Sequence, residues 1–209
     1  MNMKNKEIEI KLRLLDINQA KKIKQYFLEL AEKDEKSFQK IDMRAVYYDT
    51  ITGFLHDHRI AYRVRQENKN IVATYKSGTV NKEGVFSRIE INKNVKSLSP
   101  DISVFASEKS IWDVLKSVEN SDFMPIVRTN FVRECIDINW HGSLIEAAVD
   151  LGEVYGKNNK LPICEVELEL KNGEEAALLE LKKSLEESFS LRTSSISKYH
   201  QGLILAGLA

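Results

Sequence analysis

Two carboxylates near the amino terminus have the type and spacing that metal or phosphate chemistry uses. Glu7 and Glu9 alternate with Ile8 and Ile10. A period of two is typical of a β-strand, so the carboxylates lie on one face and the isoleucines on the other. Like charges at this spacing repel unless water or a cation lies between them, and Mg²⁺ is commonly held by one or two carboxylates together with substrate phosphates. The segment alone also fits the solvated face of an amphipathic strand.

Other strand-like segments carry charges that are sorted by sign. A late segment carries Glu165, Glu167 and Glu169, whereas an earlier one carries Arg63 and Arg65. Further charged residues lie on other strand-like segments or near the carboxyl end: Lys11, Lys76, Arg88, Arg133, Glu146, Asp150 and Lys198. An ordinary half-buried sheet mixes its polar residues. Sorting by sign predicts that acidic and basic strand faces lie opposite each other across a lumen. Metal ions would neutralise the carboxylates there, and a polyanion would neutralise the arginines and lysines.

The remaining pattern predicts the elements that position these residues. Strands are predicted at 7–14, 36–49, 59–65, 71–76, 86–92, 126–137, 142–151 and 163–171, and helices after Asp16 or Asn18, over 102–118, over 174–188 and at the carboxyl end. Apolar helix stripes can cover the apolar strand faces, which favours a barrel with a charged lumen. The alternative is a twisted antiparallel sheet with a solvated ionic face. No linker divides the chain, so residues 1–209 are predicted to form a single domain.

Composition excludes several partners and compartments. Lys and Arg number 31 and Asp and Glu number 31, so no basic excess indicates nucleic acid or an anionic membrane. The amino terminus is polar, and no apolar run reaches the roughly 20 residues that span a bilayer. Cys135 and Cys164 lack metal-ligand spacing and are predicted to be free thiols. We therefore predict a cytoplasmic protein with no membrane or nucleic-acid partner.

Other common catalytic motifs are absent. The chain has no Gly-x-x-x-x-Gly-Lys phosphate loop, and no Ser/His/Asp arrangement can be inferred. The segment His56-Asp57-His58 lies in a predicted turn without a third ligand at suitable spacing, so we interpret it as exposed loop residues rather than a metal site.

Taken together, these residues resemble the CYTH superfamily, the triphosphate tunnel metalloenzymes. The opening Glu-x-Glu-x-Lys is that family's signature, and the match continues in order along the chain through Tyr47-Tyr48-Asp49-Thr50, Arg63-x-Arg65, Lys76, Arg88-x-Glu90, Arg133, Asp150, Glu165-x-Glu167 and Ser197-Lys198. Within the family, the late segments look most like the bacterial inorganic triphosphatases, here without the His-rich CHAD domain that those often carry.

The resemblance implies a fold, a reaction and a set of site residues. The expected fold is α+β: a closed eight-stranded antiparallel β-barrel with helices packed outside. The expected reaction is hydrolysis of inorganic tripolyphosphate to pyrophosphate and orthophosphate with one or two Mg²⁺ or Mn²⁺ ions, by a monomer or homodimer. The implied metal ligands are Glu7, Glu9, Asp150, Glu165 and Glu167. The implied phosphate-binding residues are Lys11, Arg63, Arg65, Lys76, Arg88, Arg133 and Lys198. Catalytic roles fall to Glu9, Glu167 and Lys76, with a second metal ion or one of these carboxylates orienting the attacking water.

Two departures and three alternatives accompany this resemblance. Asn92 stands where many family members have a third acid, and Gln201 stands where a basic residue is common. The same tunnel serves thiamine triphosphatases, for which Trp112 or Trp140 would stack on the organic group, and class IV adenylate cyclases, which act on ATP. A non-catalytic polyphosphate-binding module is the third alternative. The sequence assigns no role to Glu90, Glu146 or Glu169.

Overall fold

The order of the elements follows the alternation of apolar and charged residues. The computed structural model describes residues 6–118 and 123–209. Within them the elements are β1 (Lys6–Leu14), α1 (Ala20–Ala31), β2 (Gln39–Thr50), α2 (Phe54–Asp57), β3 (Ile60–Glu67), β4 (Asn70–Val80), β5 (Val85–Asn94), α3 (Lys109–Leu115), β6 (Phe123–Trp140), β7 (Ser143–Gly156), β8 (Asn159–Asn172), α4 (Glu175–Ser188), β9 (Leu191–Thr193) and α5 (Lys198–Ala206). Residues 1–5, on which part of the cytoplasmic prediction depends, lie outside the described residues.

The strands close into an antiparallel barrel. Their order is β5-β4-β3-β2-β6-β7-β8-β1, and β5 also pairs with β1, which closes the ring. The short strand β9 extends the far end of β1. The predicted eight-stranded closed barrel is therefore confirmed for the described residues, and the alternative of an open sheet with a solvated ionic face is wrong.

Helices cover the apolar outside of the barrel, as the sequence predicts. Ile10 and Leu12 of β1 pack with Phe27 of α1 and Leu181 of α4, and all four are fully buried. Burial of each such side chain contributes about 1.5–3 kcal/mol. On the opposite side, α3 covers β3 and β4 in a second apolar cluster. Because the outward faces of the strands are occupied in this way, their charged faces point into the lumen.

The predicted helix over 102–118 is interrupted. A 3₁₀ turn spans Ile102–Phe105, and α3 begins only at Lys109. At 3.6 residues per turn, an unbroken helix would place Ile102 about 180° around the axis from Ile111, and Phe105 about 120° from it. The break lets these side chains and Leu115 enter one apolar cluster, where each is buried.

Two further boundaries differ from the predicted ones. Arg59, predicted to begin a strand, lies in the turn before β3 with a left-handed φ of 57°. Strand β4 extends to Val80, beyond its predicted end at residue 76, so the connection to β5 is shorter than the predicted strands imply. Both cysteines are free thiols, as predicted, and among the described residues no helix is long and apolar enough to cross a membrane.

Part of the lumen is apolar because α5 packs inside it. Phe131 of β6, Ile163 of β8 and Leu203 of α5 belong to one buried cluster that faces the lumen. The sequence predicts a helix here and a charged lumen, but it does not place the helix within the barrel. The close approach depends on glycines: a Cβ on Gly156 would lie 2.2 Å from the carbonyl oxygen of Gly202.

Replacing Gly202 with alanine tests this packing. The added Cβ would lie 2.2 Å from Val127 Cγ1, so we expect G202A to lower the free energy of unfolding by about 1–3 kcal/mol. Helix propensity alone would change it by about 1 kcal/mol in the opposite direction. The control I204A, at an exposed position of α5, is expected to shift it by less than about 0.5 kcal/mol. Urea unfolding measures both variants, and a G202A variant as stable as the wild type would contradict the placement of α5.

Candidate functional site

The lumen contains a cavity of about 610 Å³ whose walls are charged. The predicted site residues that line it are Glu7, Glu9, Lys11, Arg63, Arg65, Lys76, Arg88, Arg133, Glu167 and Lys198. The two remaining predicted residues, Asp150 and Glu165, lie behind this lining and contact Lys198. The barrel thus brings these side chains together from seven strands and from α5.

The two acidic strands lie side by side. Strands β1 and β8 pair antiparallel, with Lys11 opposite Glu167 and Glu9 opposite Glu169. Lys11 contacts the Glu167 carboxylate directly and lies 3.0 Å from Glu9 Oε1. The like charges that alternate along each strand are therefore neutralised by a buried lysine between the strands.

Lys198 and Arg133 anchor the other carboxylates of this wall. Lys198 Nζ lies 2.8 Å from Asp150 Oδ2, 2.9 Å from Glu165 Oε2 and 2.7 Å from Glu167 Oε1. Arg133 makes a bidentate pair with Asp150 over 2.8 and 2.7 Å and also contacts Glu167. Asp150 is fully buried, and its two oxygens are both taken by these cations. Its predicted role as a metal ligand stays a prediction.

These contacts shift the ionisation of the buried groups. Burial alone would raise the pKa of Glu167, but Lys11, Lys198 and Arg133 hold it well below its usual value. Burial likewise opposes ionisation of Asp150, yet Arg133 and Lys198 lower its pKa. The pKa of Lys198 is raised by its carboxylates against the effect of burial, whereas burial lowers the pKa of Lys11 more than Glu167 raises it.

The low pKa values of Asp150 and Glu167 predict loss of stability in acid. Their contribution is fully present above their unfolded pKa values, about 3.9–4.3, and is lost as pH falls below that range. We expect the urea midpoint to fall between pH 5 and pH 3.5. The matched variant D150N should show a shallower fall, because one of the contributing groups is gone. A wild-type midpoint that stays constant or rises between these pH values would contradict the network.

The opposite wall joins the basic strands to Glu7 and Glu90. Lys76 Nζ lies 2.8 Å from Glu7 Oε1 and 2.5 Å from Glu90 Oε2. Arg88 contacts Glu9 and lies 3.1 Å from Glu7 Oε2. Register explains the contact between Glu7 and Arg88, since Glu7 of β1 stands opposite Arg88 of β5.

Two further arginines complete this wall. Arg63 Nη2 lies 3.8 Å from Glu90 Oε1, and Arg65 contacts Glu67 on its own strand. Glu90 therefore lies among the predicted phosphate-binding cations and acts as their counter-ion.

Aromatic rings support the cations of the cavity. Arg88 lies 4.5 Å from the ring centre of Phe86, and Lys198 lies 5.0 Å from that of Phe131. These phenylalanines are not among the predicted site residues, although Phe86 precedes Arg88 by two residues and so shares its strand face. Tyr47 stacks on Tyr199 with ring centres 5.1 Å apart, and both line the cavity.

The structure also shows where the two tryptophans and Gln201, which the sequence analysis singled out, are located. Trp112 and Trp140 pack against the outer apolar clusters and do not line the cavity, so the proposal that they stack on a substrate is wrong. Gln201 donates a hydrogen bond from Nε2 to Glu165 Oε1 over 2.8 Å and thus orients that carboxylate. Among residues 6–118 and 123–209, no three or more His, Cys, Asp or Glu side chains come close enough together to form a metal site. The segment around His56 lies within these residues.

The donor chemistry of the acidic strands nevertheless suits a hard cation. Glu7, Glu9, Glu165 and Glu167 offer only carboxylate oxygens, and each is nearly buried. Mg²⁺ and Mn²⁺ prefer such donors. In the structure these oxygens contact lysine and arginine, which are the charges a metal ion would replace.

Nearly the whole sequence matches the model of one domain family. A model of the CYTH domain matches residues 5–203. The chain belongs to the CYTH domain family. An inorganic triphosphatase from Haemophilus influenzae is 28% identical over 167 residues, which are 80% of this chain and 47% of that protein. This CYTH chain therefore spans about half the length of that curated relative.

Solved structures share the fold of this CYTH protein. An adenylyl cyclase candidate from Hippeastrum, described as having a dominant triphosphatase activity, aligns with a TM-score of 0.68 at 19% identity over 97% of each chain. An adenylate cyclase candidate from Bacillus halodurans aligns with a TM-score of 0.51 at 17% identity, over 92% of this chain and 95% of that one. At these identities the likeness concerns the fold.

Proposed function

We propose that this CYTH protein hydrolyses inorganic tripolyphosphate to pyrophosphate and orthophosphate within the barrel. The observation that carries the proposal is the convergence of the seven predicted phosphate-binding side chains on one cavity, namely Lys11, Arg63, Arg65, Lys76, Arg88, Arg133 and Lys198. The triphosphatase activity named for the Haemophilus influenzae relative supports the same reaction class. The free cysteines further support a reducing compartment such as the cytoplasm.

The charge arrangement favours binding of a polyanion together with divalent cations. Five of these seven cations already contact a buried carboxylate. An anion alone would have to compete with these carboxylates, and a metal ion alone would have to compete with the cations. When the anion and the metal ion bind together, the anion pairs with the cationic side chains and the metal ion pairs with the carboxylates. No buried charge is then left unpaired, which would be costly in a protein interior.

We assign the metal to the acidic strands. Glu7, Glu9, Glu165 and Glu167 would hold one or two Mg²⁺ or Mn²⁺ ions, with Asp150 close by. The bound ions would supply neutralisation of phosphate charge and polarisation of phosphoryl oxygens.

The residues of the chain bind, orient and stabilise the reacting groups. A water oxygen forms a bond to the terminal phosphorus, the bridging P–O bond breaks, and pyrophosphate leaves while the proton of the water passes to solvent. Lys76, Arg63 and Arg88 hold phosphate oxygens in line and stabilise the charge that develops on them. Glu167 has a low pKa and is thus a weak base, so it suits orientation of the water by a hydrogen bond better than proton removal.

Substrate comparison tests this function. Purified protein is assayed with Mg²⁺ or Mn²⁺ on tripolyphosphate, ATP and thiamine triphosphate, and kcat/KM is measured for each. We expect tripolyphosphate to exceed the others by at least about ten-fold and EDTA to remove the activity. Cyclic AMP and pyrophosphate from ATP would identify a cyclase instead. Binding of polyphosphate without release of phosphate from any substrate would identify a binding module.

A further inference from the structure

A line of hydrogen bonds runs along the basic wall from a buried threonine to Lys76. Thr74 Oγ1 donates to Asn92 Oδ1 over 2.7 Å, and Asn92 Nδ2 donates to Glu90 Oε1 over 2.9 Å. The other oxygen of Glu90 lies 2.5 Å from Lys76 Nζ. The register of β4 and β5 sets this order, because Thr74 stands opposite Asn92 and Lys76 stands opposite Glu90.

The hydroxyl of Thr74 fixes the direction of the Asn92 carboxamide. Thr74 is fully buried, and its donated hydrogen bond engages the amide oxygen. The amide nitrogen then points at Glu90. Because an ionised carboxylate only accepts hydrogen bonds, a donor is needed at this position. A carboxylate at position 92 could not donate, and it would set a like charge against Glu90.

Glu90 in turn connects two cations of the cavity. Its Oε1, which accepts from Asn92, lies 3.8 Å from Arg63 Nη2, and its Oε2 contacts Lys76. Lys76 is also held by Glu7 over 2.8 Å. The orientation of the Glu90 carboxylate therefore contributes to the placement of both cations, together with Glu7 for Lys76 and the Tyr47 hydroxyl for Arg63.

We propose that Asn92 is a positioning residue for substrate phosphates: oriented by Thr74, it holds Glu90 so that Lys76 and Arg63 keep their places in the cavity. Asn92 itself does not line the main cavity, and its side chain hydrogen-bonds to Thr74 and Glu90. It acts through Glu90 and does not touch the substrate. The inference rests on the proposed function, because that function assigns phosphates to these cations.

The chain offers a matched control on the same face of the same strand. Asn94 follows Asn92 by two residues, about 6.6 Å along β5, and both side chains are exposed. The side chain of Asn94 makes no hydrogen bond to any described residue. N92D and N94D therefore add the same charge at neighbouring positions, but only N92D replaces the donor that faces Glu90.

Two measurements compare these variants with the wild type. Calorimetry without divalent metal gives the Kd of tripolyphosphate, and steady-state assays with Mg²⁺ give kcat and KM. We expect N92D to raise Kd and KM about ten-fold while kcat changes by less than about three-fold. N94D should change each by less than about two-fold. T74V, which removes the orienting hydroxyl, should raise Kd by about three-fold, and T74V/N92D should resemble N92D alone.

The outcomes distinguish the positioning role of Asn92 from a general charge effect and from a purely structural role. Equal weakening by N92D and N94D would show a general charge effect and overturn the proposal, as would unchanged binding in N92D. A loss in N92D that appears only as a smaller folded fraction, with Kd unchanged for the folded protein, would indicate a structural role and also overturn it. Absence of turnover in a wild type that binds tripolyphosphate would contradict the proposed function alone, since the binding comparison would still decide the role of Asn92. Failure of the wild type both to bind tripolyphosphate without metal and to turn it over with Mg²⁺ would contradict both. If the wild type turns over the substrate but shows no metal-free binding, the comparison of KM decides the role of Asn92.

Discussion

Replacing Glu167 with glutamine is expected to lower kcat for tripolyphosphate at least about 100-fold while the protein stays folded. Glu167 contacts Lys11, Arg133 and Lys198, and it lines the cavity. The change keeps the shape of the side chain but removes the charge that would hold a metal ion and orient water. Phosphate release measures the activity, and circular dichroism measures the folded state.

The control for this prediction is a carboxylate on the outside of the barrel. Glu134 of β6 pairs with Lys24 of α1 over 2.7 Å, away from the cavity. We expect E134Q to change kcat by less than about two-fold. Because E9Q is expected to abolish turnover in the same way as E167Q, retained activity in both of these variants would contradict the assignment of the acidic strands.

Replacing Lys198 with methionine is expected to lower the free energy of unfolding by about 3–5 kcal/mol and to remove most activity. Its ammonium group is nearly buried and lies within 3 Å of Asp150, Glu165 and Glu167. Without it, three buried carboxylates share the remaining cations. The same change removes a proposed phosphate-binding group at the first residue of α5.

The matched control again uses the outer ion pair. K24M removes a lysine that pairs with Glu134, but both side chains are about a quarter exposed. We expect a loss below about 1 kcal/mol. In K198M the loss should also shrink as pH falls from 8 to 5, because the carboxylates that have lost their cation take up protons more readily. Urea unfolding at both pH values measures this, and equal losses in K198M and K24M would contradict the buried network.

The barrel and its charged lumen could be predicted because each strand carries its own signal. Alternation at Glu7 and Glu9 assigns a face to each residue, and the sorted signs indicate which faces meet. A strand's pattern needs no knowledge of distant contacts, so the acidic and basic strands were predictable from their residues alone. The closed eight-stranded form came from the family resemblance and is confirmed by the pairing of β1 with β5.

Other features depend on contacts that local patterns do not encode. The apolar residues of α5 predict a helix, but they do not show that it packs inside the barrel against Phe131. The break before α3 follows from a shared core that a single helix could not reach. The contact of Asn92 with Thr74 requires the register of β4 and β5, which becomes visible only in the folded barrel.

The most direct test of the central claim is a phosphorus NMR time course of tripolyphosphate with purified protein and Mg²⁺. A triphosphatase that holds the chain in the tunnel and cleaves its terminal bond releases one pyrophosphate for each orthophosphate. We predict equal initial rates for the two products, with the reaction absent in E167Q and present in E134Q. Orthophosphate released without pyrophosphate, or no change in the tripolyphosphate signals, would contradict the account.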